Sequence, residues 1–96
     1  MSDRPIEQEQ NGSKGRYVLR EKGLEAELTY TVSSPTLVIA DHTGVPEALR
    51  GTGAGKALVA RLVTDARTQG FRIVPLCPFV NSERRKHPEW ADQFQV

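Results

Sequence analysis

The stretch Leu37–Leu76, LVIADHTGVPEALRGTGAGKALVARLVTDARTQGFRIVPL, decides the fold. It opens on Leu37-Val38-Ile39-Ala40, a continuous apolar run with β-branched residues at its centre. A strand apolar on both faces is expected to be covered on both, which places helices on each side of its sheet. From Gly53 the period becomes helical. Ala54, Leu58, Leu62 and Ala66 recur every four residues and Val59 and Val63 widen the stripe, while Lys56, Arg61, Asp65 and Arg67 fall outside it. Gly70 is placed to end that helix in the left-handed region. Phe71, Ile73, Val74 and Leu76 then make a second short strand. Strand, helix and strand in that order form a right-handed parallel crossover.

Upstream, Tyr17-Val18-Leu19 precedes Leu24, Ala26, Leu28, Tyr30 and Val32, a set with a strict period of two. That is a half-buried strand, and Glu21-Lys22-Gly23 turns the chain between the two as an antiparallel hairpin. Ser33-Ser34-Pro35 breaks the pattern before Leu37. Residues 1–13 are polar with almost nothing to bury and are expected to be a disordered tail, leaving 14–96 as a single domain. Downstream of Pro78 a short helix runs through Lys86 and is stopped by Pro88, and a last turn holds Trp90 and Phe94. The class is α/β: a mixed sheet with antiparallel N-terminal strands, a parallel strand–helix–strand crossover, and helices on both faces.

A chain of 96 residues holds one domain. Its 38% hydrophobic and 26% charged residues are ordinary for a globular protein, and its net charge of +1 argues against a nucleic-acid binder. The opening residues carry no apolar run, and the longest apolar stretches fall far short of the ~20 residues that span a bilayer. No membrane association is expected, and the cytoplasm is the expected location. Cys77 is the sole cysteine, so neither an internal disulfide nor a cysteine-based zinc cluster can form, and no metal is expected.

Chemistry concentrates in Arg50-Gly51-Thr52-Gly53-Ala54-Gly55-Lys56, between the buried strand and the amphipathic helix. Glycines there let backbone approach a ligand closely, and a helix start offers unpaired N–H groups and a partial positive charge. Together these make a phosphate site, to which Arg50 and Lys56 add charge. The nucleoside-triphosphate P-loop would need glycine at position 50 and a hydroxyl residue at 57, where Arg50 and Ala57 stand. The dinucleotide fingerprint would need glycine at 56 and an acid after the next strand; Lys56 and the acid-free Phe71–Leu76 exclude it. A glycine-rich loop serving only tight strand-to-helix packing is the alternative.

The pattern that remains, Arg50-x-x-Gly53-x-Gly55, is similar to the pyrophosphate motif of the GNAT acyltransferases. The resemblance extends further, through His42-Thr43-Gly44-Val45-Pro46-Glu47, Arg50-Gly51-x-Gly53, Val74-Pro75-Leu76-Cys77-Pro78-Phe79-Val80 and His87-Pro88-Glu89-Trp90. From about Gly15 to Val96 the chain resembles the minimal GNAT-like N-acetyltransferases of roughly a hundred residues, which lack several peripheral elements of the larger enzymes. The resemblance implies acetyl-CoA as donor, an amine of a small molecule or a protein as acceptor, and a GNAT-like sheet. It implies that backbone N–H groups of Gly51, Thr52, Gly53, Ala54, Gly55 and Lys56, with Arg50, hold the coenzyme A pyrophosphate. It also implies that the strand ending near Val45 splays from its neighbour to line the pantetheine arm. The tyrosine that larger relatives place after the second parallel strand is missing, because Tyr17 and Tyr30 lie in the first strands.

Acyl transfer to an amine needs a base for the amine and a route for protons. Cys77 stands where a strand ends and Pro78 starts a helix, a position that can lower a thiol pKa. His42 stands near the end of the preceding parallel strand. His42 is therefore the candidate base, and Cys77 the candidate proton donor or acyl-accepting nucleophile. Structural roles for both are the alternatives, as is a non-catalytic acyl-CoA-binding module for the whole chain. Arg84-Arg85-Lys86 reads as a solvated helix face, and His87 as support for the last turn.

Overall fold

The structure is a computed structural model and describes residues 4–96. Its sheet has five strands in the order of the sequence: β1 (Ile6–Asn11), β2 (Lys14–Glu21), β3 (Leu24–Ser34), β4 (Leu37–Gly44) and β5 (Arg72–Pro75). Successive pairs are antiparallel except β4 and β5, which are parallel and joined by α1 (Ala54–Gln69). A second helix, α2 (Pro78–Lys86), and 3-10 turns at Glu47–Leu49 and Pro88–Gln93 complete the chain. After the last turn Phe94 bridges Ile73 and the Gln95 N–H donates to the Ile73 carbonyl, which closes the β5 edge.

The alternation in Leu24–Val32 works as patterning requires. Ala26, Leu28 and Tyr30 are buried and face the same way as Leu19 and Tyr17, their register partners or neighbours on β2. The stripe on α1 meets them: Ala54, Leu58, Val59, Leu62, Val63 and Ala66 are all buried. Gly70 ends the helix at φ 78°, and its N–H and that of Phe71 share the Ala66 carbonyl. One buried polar contact pins helix to sheet, Tyr17 Oη donating to Asp65 Oδ2 at 2.7 Å. Burial and this acceptor together push the Tyr17 hydroxyl well above its usual range.

Two expectations need correction. Residues Ile6–Asn11 of the expected tail form a paired strand, while residues 1–3 lie outside the described residues. Nothing apolar holds β1 beyond half-buried Ile6. Its hold comes from the antiparallel ladder to β2 and from charges: Glu7 and Glu9 pair with Arg20, and Glu9 with Arg16, which also reach Glu25 and Glu27 across β3. Hydropathy does not register such a strand. The Asn11-Gly12 dipeptide at its end, with Gly12 at φ 64°, was the readable signal.

The second correction concerns the covering of the sheet. Tyr17, Leu19, Ala26, Leu28, Tyr30, Val38, Ala40 and Ile73 are buried on one face, in one cluster with residues of α1 and α2. The opposite face carries the Arg16 and Arg20 ion pairs, buried Val18, and the half-buried Ile39 and Val74. Both helices therefore stand over one face. The run Leu37–Ala40 is apolar throughout, yet only alternate residues, Val38 and Ala40, are buried. Each fully buried aliphatic side chain contributes about 1.5–3 kcal/mol, against at most about 1 kcal/mol for an exposed ion pair. The apolar face thus dominates stability.

Candidate functional site

Beyond Ala40 the parallel strands separate. Ala40 is the last residue of β4 in register with β5, and its carbonyl accepts the Cys77 N–H at 2.9 Å before the chain leaves into α2. β4 continues through Asp41–Gly44 against β3 alone. The 3-10 turn Glu47–Leu49 then delivers the chain to the glycine loop. Gly51 and Gly53 take φ of 78° and 85°, conformations that a β-carbon disfavours, and between them they turn the chain into α1. Gly53 is the N-cap and brings no side chain to the helix end. The N–H groups of Ala54, Gly55 and Lys56 have no backbone acceptor among the described residues. They are available to an anion at the positive end of the helix.

An open cleft of about 640 Å³ lies over this helix start, within the range of small-molecule sites. Val45 and every residue from Arg50 to Lys56 line it, so the structure gathers all the cofactor-site residues expected from sequence. Thr43, Leu49 and Phe79 join them and were not foreseen. The glycines divide the work. A β-carbon at Gly51 would meet nothing within 4 Å, so that backbone is open to a ligand. One at Gly55 would fall 2.8 Å from the Phe79 ring, so Gly55 serves the close approach of α2 to α1. Packing thus explains Gly55, and the positive φ of the bend explains Gly51 and Gly53.

The two residues expected to carry chemistry are not brought together. Thr29 faces His42 across the ladder, which puts the imidazole on the open, helix-free face, exposed to solvent. Cys77 is buried at 3% exposure, on the helix-covered side, as the N-cap of α2. Its Sγ lies 3.4 Å from Thr43 Oγ1, and Thr43 rather than Cys77 faces the cleft. Farther off, His87 stacks on Trp90 with ring centroids 3.9 Å apart and supports the last turn. Arg84, Arg85 and Lys86 occupy the last turn of α2, where cations suit the helix dipole. Among the described residues no cluster of His, Cys, Asp and Glu could hold a metal, and no helix is long and apolar enough to cross a membrane.

A mixed sheet with its parallel strands splayed beside a glycine-rich helix start defines a class of acyltransferase fold, and the comparisons agree. The family model for GCN5-related N-acetyltransferases matches residues 16–93, and the chain belongs to that family. In overall structure it is similar to a GCN5-like candidate N-acetyltransferase from Staphylococcus aureus, solved by NMR, at 30% identity and a TM-score of 0.70. That likeness covers 99% of this chain and 91% of the other. A comparison with curated proteins returned no match.

Proposed function

We propose that this protein is an N-acetyltransferase that takes acetyl-CoA as donor and an amine as acceptor. The observation that carries the reading is the cleft in which the unpaired N–H groups of Ala54–Lys56 adjoin the end of β4, where β5 no longer pairs with it. The residues present fit coenzyme A: bare backbone at Gly51, cations at Arg50 and Lys56, and apolar Val45, Leu49 and Phe79 beside them. Bound there, the coenzyme supplies an activated acyl thioester. The backbone N–H groups of Gly53–Lys56 would hold its pyrophosphate, and the end of β4 with the residue that follows it, Thr43 to Val45, would line the pantetheine arm.

His42 opens to the uncovered face, so an acceptor amine approaching from that side would meet an imidazole able to take its proton. Cys77, shielded by burial, would act through Thr43, which lines the cleft and whose hydroxyl lies 3.4 Å from the thiol. That arrangement favours proton supply over acyl capture on sulfur. Titration calorimetry with coenzyme A, with a nucleoside diphosphate as control, tests the donor site. Binding should be selective for coenzyme A, weaken as salt rises because the cations are exposed, and precede acetylation of at least one member of an amine panel. Selective binding without acetylation of any amine would leave an acyl-CoA-binding module; equal binding of the nucleotide would remove the coenzyme reading.

A further inference from the structure

Arg4 reaches the glycine loop from the far end of the chain. Its Nε and Nη2 donate to the two oxygens of Glu21 at 2.8 and 2.7 Å. Nη1 donates to the Thr52 carbonyl at 2.8 Å, and Nη2 also to Thr52 Oγ1 at 3.0 Å. Glu21 is the last residue of β2, so the guanidinium is seated on the sheet while it grips the loop. The hydrogen bonds between them raise the Arg4 pKa and lower that of Glu21.

Thr52 lies between two glycines at positive φ; its N–H and hydroxyl both donate to the Leu49 carbonyl, while its own carbonyl accepts no backbone N–H among the described residues. In a trans peptide the carbonyl and the following N–H point in opposite directions. Arg4, which does not line the cleft, holds the Thr52 carbonyl, so the Gly53 N–H of the same peptide points away from Arg4. A carbonyl left free at this point could swing inward and oppose an anion. We propose that Arg4 is a positioning residue of the phosphate loop: the N-terminal segment holds the Thr52–Gly53 peptide in its anion-accepting orientation. This inference rests on the coenzyme A reading above. The planar fork matters, because it engages Glu21 and Thr52 at once, which a lysine ammonium cannot do with the same geometry.

Arg4→Ala and Arg4→Lys test it, with two readouts. In ligand-free protein, backbone ¹⁵N order parameters at Thr52 and Gly53 should fall from about 0.85 toward 0.6 in both variants, while those of Leu58–Leu62 stay unchanged. Coenzyme A and its dephospho form should each bind about tenfold more weakly, by the same factor, with the catalytic rate at saturation unaltered. Lysine restoring the affinity would mean a bare charge on phosphate, and would overturn the positioning role. So would affinity within twofold of wild type together with unchanged order parameters. If wild type itself binds no coenzyme A, the phosphate reading falls, and the order parameters alone decide whether Arg4 orders the loop.

Discussion

Replacing Gly53 with alanine separates the backbone demand of the site from its packing demand. At φ 85° and ψ 11° the residue is left-handed, and its added β-carbon would meet only Arg4 Nη1, at 3.5 Å. Sterics with neighbours are therefore ordinary, and the cost is conformational. Holding alanine in that region costs about 1–2 kcal/mol. In a domain of this size each 1 kcal/mol lowers Tm by about 4–8 °C, so a fall of roughly 5–15 °C is expected. Should the loop relax instead, stability is spared, but the N–H groups at the helix start lose their aim. Each charge-assisted hydrogen bond is worth about 1.5–3 kcal/mol, so losing one weakens coenzyme A binding by about 10- to 100-fold. Gly12→Ala is the matched control: φ is 64°, nothing lies within 4 Å of the added carbon, and the site is in the β1–β2 turn. It should lower Tm similarly and leave affinity alone. Thermal melts and titration calorimetry on both variants are sufficient. A Gly53→Ala protein with native Tm and native affinity would refute the argument that this bend shapes the site.

Incubation with acetyl-CoA in the absence of acceptor should leave no acetyl group on Cys77 by intact-mass measurement, whereas Thr43→Val and Cys77→Ala should slow turnover by similar factors, about 10- to 100-fold. A stable Cys77 adduct would restore the nucleophile role. Tyr17→Phe should cost about 1.5–3 kcal/mol in urea denaturation, because the Asp65 carboxylate loses its buried hydroxyl donor and keeps Arg61. The Tyr17 pKa is raised in the fold, so its contribution is fully present below the unfolded value near ~10 and is lost as pH rises beyond it. The variant should therefore show a shallower alkaline loss than wild type, and equal slopes above pH ~10 would contradict the buried hydrogen bond.

Periodicity alone determined the hairpin from Tyr17 to Val32, the crossover helix and its Gly70 stop, because alternation and the helical stripe are local properties of the chain. Local chemistry also marked the loop at Arg50–Lys56, since failed spacings for other phosphate ligands can be counted along the sequence. Tertiary structure decided the rest. β1 is held by ladder hydrogen bonds and by arginines on the neighbouring strand, so its own residues carry no hydrophobic signature. Whether Leu37 and Ile39 are covered depends on how many helices the chain supplies, and α1 and α2 both go to the other face. Gly55 reads as a ligand glycine until the Phe79 ring is seen in its place. His42 and Cys77 look like partners because each stands near the end of a parallel strand. They part because side chains alternate across a pleated sheet and a register shift in β4 adjusts which residues face the helices, neither of which hydropathy resolves. Arg4 lies far from the loop along the sequence, and only folding brings it to Thr52, through the sheet that seats Glu21.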